Sequence, residues 1–191
     1  MPPITTYSPP APPRLYLCLE LDQFPAQAFA AYNPDYRDRP FIIVRQNPES
    51  HKTVVWACSV AAKRMGVRRG MALHALQKRY PGLEAVPRHR ELEETSCEDL
   101  SYLLNEYTPE YRVGEGGACL LNLSGVPLRG GLEAFAGRLG QEIKSRIGFT
   151  QVSVGASRMK LLASLLAKAG LPDGFRACEF GGEEGVLASL D

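Results

Sequence analysis

Apolar and polar positions follow two periods along the chain, one typical of strands and one typical of helices. Compact apolar runs bounded by turn residues predict strands, and apolar residues spaced three and four apart predict helices. The predicted strands are 15–21, 41–45, 53–57, 111–113, 118–123 and 151–156, and the predicted helices are 25–32, 59–65, 71–80, 91–107, 132–147 and 159–169. Gly66 and Gly148 follow predicted helices and are typical helix stops.

The order of these elements indicates the fold class. When 25–90 is set aside as an insertion, the order is strand, helix, strand, strand, helix, strand, which is the split βαβ or ferredoxin-like motif. We therefore predict an α+β fold with an antiparallel sheet, helices on one face of it, and a small inserted module. The motif hosts many unrelated activities, so it does not indicate a function by itself.

Composition places the chain among ordinary globular proteins. The 191 residues are 45% hydrophobic and 23% charged, which is enough for a real core. The five cysteines form no C-x-x-C pair and lie apart from the three histidines, which argues against a zinc site and favours a reducing, cytoplasmic setting. The chain has no apolar run near the ~20 residues of a membrane span. The proline-rich start, 1–13, lacks the apolar segment of a signal peptide and predicts a disordered tail.

Charge is balanced overall but unevenly distributed. The net charge is only +1, so bulk charge indicates no partner. Residues 61–90 nevertheless hold eight basic side chains and one acidic one, and 91–110 hold seven acidic side chains and no Lys or Arg. A basic block of this kind is typical of a phosphate-facing surface, and equally of a solvated helix beside its counter-charges.

Two carboxylates stand at the end of the first predicted strand. Glu20 and Asp22 alternate with Leu19 and Leu21, so both are expected on one face. Carboxylates placed together favour a cation between them, and two-metal phosphoryl transfer needs several carboxylates around divalent ions. The alternative is a solvated strand end without chemistry.

Four motifs then occur in a fixed order between residue 15 and about residue 180. They are LELDQFPA at 19–26, RPFIIV at 39–44, ACSVAAKRMGVRRGM at 57–71 and VSVGASRMKLLASLLAKAGLPDG at 152–174. In these motifs the chain resembles the Y-family, or UmuC-type, translesion DNA polymerases. The resemblance implies a ferredoxin-like palm at 14–24 and 89–180, a fingers module at 25–88, and the start of a thumb at 181–191 that the chain does not complete.

The resemblance weakens where the family carries out chemistry. The first metal-binding Asp of the family corresponds to Glu20, and its sugar-sensing aromatic residue corresponds to Pro25. Its triphosphate-binding Tyr and Arg correspond to Val60 and Lys63, so a charge is kept but the bidentate guanidinium is lost. Lys160 matches the family's second triphosphate-binding lysine unchanged.

The second carboxylate motif is absent. The family's S-x-D-E-A-x-L-D corresponds to residues 115–122, so its catalytic Asp-Glu pair falls on Gly117 and Ala118. Glu115 lies two residues before Gly117, on the same face if the strand is regular, and is the one carboxylate that can replace the pair. The resemblance therefore implies that Glu20 and Asp22 are remnants of a metal site. Glu115 is a further metal ligand only if it is displaced into that site.

Three hypotheses of function follow. The first is a non-catalytic homologue of the ImuB type, which binds no cofactor and acts in DNA damage tolerance as an adaptor among DNA, an active polymerase and the sliding clamp. The second is a divergent but active Mg²⁺-dependent nucleotidyltransferase that uses Glu20, Asp22 and Glu115. The third is a plain protein-interaction module.

DNA contact is assigned to the fingers. Arg64, Arg68 and Arg69, together with Lys63, are the predicted phosphate contacts. Trp56, in a predicted strand, is expected in the core. The resemblance implies that the strongest DNA-gripping parts of the family follow the palm, so we expect weak DNA affinity from this chain alone.

Overall fold

The structure is a computed structural model that describes residues 13–45, 53–178, 181, 182 and 185. Most of the predicted tail, the predicted loop 46–52 and most of the stretch 181–191 lie outside the described residues. The strands are β1 (Tyr16–Glu20), β2 (Phe41–Val44), β3 (Val55–Cys58), β4 (Glu84–Pro87), β5 (Tyr111–Val113), β6 (Cys119–Asn122), β7 (Ser153–Ser157) and β8 (Phe175–Ala177). The α-helices are α1 (Phe24–Tyr32), α2 (Val60–Arg64), α3 (Leu73–Arg79), α4 (Arg90–Asn105), α5 (Gly131–Glu142) and α6 (Lys160–Ala169).

Five strands form the larger sheet, in the order β5-β6-β1-β7-β8. Strand β1 lies at its centre and pairs antiparallel with β6 and β7, so that Leu17 is opposite Leu121 on one side and Ala156 on the other. Among the described strands of this sheet, only β7 and β8 form a parallel pair. The mixed α+β fold with a mainly antiparallel sheet confirms the predicted fold class.

Both faces of this sheet carry helices. Leu17 and Leu19 point into the main core, where they meet Leu103 of α4 and Leu139 of α5. Cys18 points the other way and packs against α6. Helices α4 and α5 thus share one face as expected, and α6 adds a layer on the opposite face.

The smaller sheet has three strands in the order β3-β2-β4. Strands β2 and β3 are antiparallel, and β4 joins β2 in parallel. Ile42, Val44 and Val55 form its core with residues of α2 and α3. Ser59 is the N-cap of helix α2, and its Oγ accepts a hydrogen bond from the Ala62 N–H at 3.2 Å.

Helix α1 contacts the cores of both sheets. Phe24 and Ala28 belong to the core of the larger sheet, whereas Ala26 and Phe29 pack in a cluster with Phe41 of the smaller one. The short helix therefore fixes the separation of the two sheets. Within the residues that the structure describes, no helix has the length and apolarity needed to cross a membrane.

Candidate functional site

A cleft of about 900 Å³ lies between the two sheets. Its walls come from the β1–α1 turn, the start of α4, the loop after β5 and the edge of the smaller sheet. The charged side chains that line it are Glu20, Asp22, Glu93, Glu94 and Glu115 and, on the basic side, Arg45, Arg69, Arg88 and Arg90. The structure thus brings Glu20, Asp22, Glu115 and Arg69 of the predicted site residues to one cleft.

Asp22 lies in the turn that follows β1. Its carboxylate accepts a hydrogen bond from the Lys63 ammonium and forms an ion pair with it, and Gln23 donates a further hydrogen bond at 3.2 Å. The carboxylate side chain is only 11% exposed. A single positive charge from the protein therefore already neutralises Asp22.

Glu20 is the last residue of β1 and has a different environment. Its carboxylate lies 3.9 Å from the Lys168 ammonium on α6. Burial raises the pKa of Glu20 above its ordinary value of 4.5, and the Lys168 charge opposes that rise. Glu20 and Asp22 therefore carry separate cationic partners instead of sharing one ion.

The residues between the predicted strands 111–113 and 118–123 form the hairpin loop between β5 and β6. Glu115–Gly117 form a 3₁₀ turn in which Gly116 and Gly117 have left-handed φ angles of 81° and 79°. Strand β6 begins only at Cys119. Residues 115–117 are therefore not a regular strand, which is the condition under which Glu115 would share a face with Gly117, although the exposed Glu115 side chain does line the cleft.

Gly117 has no room for a side chain. A Cβ atom there would lie 2.7 Å from Cε2 of Phe24 and 2.9 Å from Cδ1 of Leu21. The Phe24 ring is buried and packs edge-on against Phe149, with ring centroids 6.0 Å apart. The ring of Phe24, two residues after Asp22, thus fills the space beside Gly117.

These residues do not fit a two-metal centre. Among the described residues, no three His, Cys, Asp or Glu side chains come close enough together to hold a metal ion. Mg²⁺ requires near-octahedral oxygen ligands, and Asp22 is paired with Lys63 while Gly117 supplies no carboxylate. We therefore derive no metal-dependent step from this site.

The cleft also lacks a reactive thiolate among the residues that the structure describes. Cys97 lines the cleft, and burial raises the pKa of its thiol above the ordinary value of 9.0. Burial raises the pKa of the Cys58 thiol in the same way. Both thiols are thus protonated at neutral pH and are poor nucleophiles and metal ligands.

The two lysines assigned to triphosphate binding are far from equivalent. Lys63 is half-buried against Asp22. Lys160, at the start of α6, is exposed, and its ammonium lies 5.1 Å from the centroid of the Tyr16 ring. Lys160 is not among the residues that line the cleft. The structure therefore does not bring Lys160 into the cleft with the carboxylates.

The three arginines predicted to contact DNA have different surroundings in the structure. The Arg68 guanidinium donates hydrogen bonds to the backbone carbonyls of Lys63 and Val67, at 2.8 and 2.9 Å. Arg68 thereby holds the loop after α2. Arg69 lines the cleft, whereas Arg64 is exposed on α2 outside it. Only Arg69 of this group faces the cleft.

The sequence predicted that Trp56 lies in the core, and the structure does not place it there. Its side chain is partly exposed, packs against the cluster that contains Phe29 and Phe41, and lines the cleft. The guanidinium carbons of three arginines approach its ring, at centroid distances of 3.7 Å (Arg69), 4.4 Å (Arg45) and 5.6 Å (Arg88). Sequence analysis missed Arg45 and Arg88, because they lie 11 and 32 residues from Trp56 and only the sheet brings them together.

Two glutamines that carried no sequence signal position the Asp22 turn. Gln27, buried inside α1, donates hydrogen bonds to the carbonyls of Asp22 (2.7 Å) and Gln151 (3.0 Å). Its Oε1 accepts bonds from the N–H groups of Thr150 (2.9 Å) and Gln151 (3.0 Å). Gln23, with a left-handed φ of 53°, accepts a bond from the Cys58 N–H at 3.0 Å and so ties the turn to β3.

Comparison with known protein families gives a match over most of the chain. A sequence model of the impB/mucB/samB family matches residues 19–168. Among curated proteins, the chain is 29% identical to DNA polymerase IV of Treponema denticola over 179 residues, which cover 93% of the chain and 44% of that protein. It is 30% identical to DNA polymerase IV of Clostridium acetobutylicum over 141 residues, which cover 73% of the chain and 35% of that protein. The chain thus spans less than half the length of these relatives.

Solved structures share the fold. An insertion ternary complex of Dbh DNA polymerase superposes with a TM-score of 0.79 at 23% identity, over 93% of this chain and 52% of that one. DinB from Sulfolobus solfataricus gives a TM-score of 0.74 at 23% identity, over 91% of this chain and 50% of that one. At this identity the likeness concerns the fold alone.

Proposed function

The chain belongs to the impB/mucB/samB family, the UmuC-type or Y-family polymerase group, and from this membership we propose that it is a non-catalytic polymerase homologue that acts in DNA damage tolerance. In this role the protein contributes an adaptor surface that binds damaged DNA. An active polymerase and the sliding clamp are its proposed protein partners, and the cytoplasm is its proposed location.

The observation that carries the proposal is the packing of Phe24 against Gly117. A carboxylate at position 117 would have to displace a buried aromatic ring and also adopt a left-handed backbone. The family's hairpin carboxylate thus corresponds to a glycine whose surroundings in this structure leave no room for a side chain. Charge stabilisation by such groups is often the largest catalytic contribution, so its loss is expected to abolish turnover.

The Asp22–Lys63 ion pair supports the same proposal. The Lys63 ammonium forms an ion pair with Asp22, and a divalent cation would have to compete with it for that carboxylate. We propose that Glu20, Asp22, Lys63 and Lys160 are remnants of a polymerase site, that 14–24 and 89–180 form the palm, and that 25–88 form the fingers. No cofactor is required by this function.

A primer-extension assay tests the proposal. The protein is incubated with primed template, all four deoxynucleotides and either Mg²⁺ or Mn²⁺, with an active Y-family polymerase as positive control. We expect no extended product above background. Extension by the wild-type protein that disappears in Glu20→Ala would overturn the proposal.

One observation favours the alternative of an active nucleotidyltransferase. Glu115 lines the same cleft as Glu20 and Asp22, and the adjoining Gly116 gives its loop conformational freedom. If this alternative holds, Mg²⁺ is the cofactor and Glu115→Ala abolishes extension, whereas Glu110→Ala, a change in an exposed carboxylate outside the cleft, does not. Equal extension by wild type and Glu115→Ala would exclude Glu115 as a ligand.

A further inference from the structure

Strand β5 forms one edge of the larger sheet, and its outer side is unpaired among the strands that the structure describes. Glu110 and Gly114, which flank β5, form backbone hydrogen bonds across to the β6 side, each at 2.8 Å. In an antiparallel pair, such bonds to the neighbouring strand occur at every second residue. The N–H and C=O groups of Tyr111 and Val113 therefore point away from β6, toward the open edge.

Helix α4 packs beside this edge, and the two elements enclose a groove of about 620 Å³, here called the α4–β5 groove. It is lined by Tyr111 and Val113 of β5 and by Cys97, Glu98, Ser101, Tyr102 and Asn105 of α4. The α4 positions recur every fourth residue, so they form one stripe along the helix. An extended chain that pairs with β5 would therefore lie beside this stripe.

The α4 side of the groove carries negative charge that has no counter-charge. Glu94 and Glu98 are exposed, lie one helical turn apart, and form no ion pair with the described residues. Carboxylates four residues apart on a helix repel each other. Tyr102 lies one further turn along the same row and is 77% exposed. A cation on this row relieves the repulsion between the carboxylates and can also lie over the Tyr102 ring.

The spacing of the row fits an extended chain. Every second side chain of a strand points to the same side, at intervals of about 6.6 Å. Residues four apart on an α-helix are separated by a rise of about 6 Å. Two basic side chains at alternate positions of an added strand can therefore face Glu98 and Tyr102 together.

We propose that the α4–β5 groove is a docking site for a segment of a partner protein that adds to the sheet as an extended strand and carries basic residues at alternate positions. Backbone hydrogen bonds to Tyr111 and Val113 supply affinity, and the row on α4 supplies selectivity. Residues 91–110 hold seven acidic side chains and no Lys or Arg, so an acidic segment or a phosphate backbone is repelled. Because β5 has only three residues, the docked segment is short.

A second copy of the chain suits the groove less well. Antiparallel pairing of two β5 edges around their centres would place the exposed Arg112 opposite its own counterpart, and like charges directly opposite each other are destabilising. The partner is therefore a different, basic protein segment. This inference goes beyond the proposed function, because it does not depend on whether the cleft between the sheets supports catalysis.

The probe is a labelled heptapeptide of alternating lysine and valine, whose binding is followed by fluorescence anisotropy. We expect saturable binding to the wild type. Glu98→Lys/Tyr102→Ala should weaken it roughly fivefold or more, because an ion pair and a cation–π contact are lost. Both side chains are exposed, so the variant is expected to fold. Glu133→Lys, the same charge change at an exposed residue of α5, should bind like the wild type.

Amide hydrogen exchange tests the strand pairing itself. With saturating peptide, the N–H groups of Tyr111 and Val113 should exchange more slowly, whereas that of Arg112, which faces β6, should change little. A peptide of the same sequence with N-methylated backbone amides keeps its charges but cannot donate these hydrogen bonds. It should bind at least about fivefold more weakly.

Several results would overturn the proposed site. They are a lack of saturable binding, equal binding of the N-methylated peptide, equal binding by Glu98→Lys/Tyr102→Ala, unchanged exchange at Tyr111 and Val113, and tighter binding of an alternating glutamate–valine peptide. Dimerisation that slows exchange at Tyr111 without peptide would overturn it as well, because a second copy would then cover the edge. Primer extension by the wild type would overturn the non-catalytic role and leave this docking site standing.

Discussion

At the scale of single residues, Phe24 and Gly117 depend on each other. The ring occupies the volume that a side chain at 117 would need, and the φ of 79° at Gly117 is one that residues with a Cβ rarely adopt. Restoring a carboxylate at this position therefore requires changes in both the core and the loop. The packing beside the larger sheet therefore leaves no room for a side chain at position 117.

Gly117→Asp should be strongly destabilising, and Gly116→Ala is its matched control. Both positions have left-handed φ angles, but a Cβ at Gly116 would meet no atom within 4 Å. We expect Gly116→Ala to cost about 1–2 kcal/mol of backbone strain and Gly117→Asp at least about 2 kcal/mol more because of the displaced ring. Urea unfolding measures both. Equal costs for the two variants would show that Phe24 moves aside freely.

Glu20 should make folding stability depend on pH in a defined direction. Burial raises the pKa of Glu20 above its ordinary value of 4.5, so the folded state holds the proton more tightly than the unfolded state. This contribution to stability is fully present below pH 4.5 and is lost as the pH rises through the raised value. Glu20→Gln lacks it. We expect the variant to gain stability over wild type between about pH 4 and pH 7.

Thermal unfolding across this pH range checks the prediction. Glu98→Gln, a change in an exposed carboxylate of α4, serves as control and should follow the wild type. A constant difference between Glu20→Gln and wild type at all pH values would mean that the Lys168 charge cancels the effect of burial.

At the scale of elements, α6 and β7 approach each other unusually closely. A Cβ at Gly155 of β7 would overlap backbone atoms of Ala163 and Ala167 and would lie 2.9 Å from the carbonyl carbon of Leu166. The backbones meet because small residues face each other there. This packing positions α6, and with it Lys168, beside Glu20 at the end of β1.

Gly155→Ala should therefore separate α6 from the sheet. Since the neighbours are backbone atoms that cannot rotate away, we expect a decrease of about 3 kcal/mol or more in the free energy of unfolding. Gly137→Ala, inside α5 with no atom within 4 Å of the added Cβ, should be neutral or stabilising by up to about 1 kcal/mol. Chemical denaturation of both variants measures the contrast. A neutral Gly155→Ala would show that α6 can move away from β7 at little cost.

Elements with a strong apolar pattern were predicted from sequence, and those without one were missed. The predicted helix at 91–107 corresponds to α4, and the predicted strand at 15–21 to β1. Strands β4 and β8 were missed because each is short, lies at a sheet edge and buries at most one side chain. Their place in the structure comes from parallel pairing with β2 and β7, a non-local interaction that leaves little trace in a local pattern.

At the scale of the whole molecule, the cleft exists because α1 holds two sheets apart. Gln27 ties the β1–α1 turn to Gln151, which precedes β7, and Gln23 ties it to β3, so the turn is fixed relative to both sheets. With a net charge of only +1, long-range attraction to nucleic acid is small. The affinity of this chain for a labelled oligonucleotide, measured by fluorescence anisotropy, should thus be modest. Sub-nanomolar affinity at physiological salt would contradict this.

The sequence by itself determined the family, the α+β class and the lack of a carboxylate at positions 117 and 118, because those properties reside in residue identity and in local periodicity. Only the tertiary structure decided how the remaining charges are used. Lys63 pairs with Asp22 across 41 residues, and three arginines from separate segments meet at Trp56. Such interactions depend on how the strands pair and on the position of α1 between the sheets. No local pattern along the chain specifies either of them.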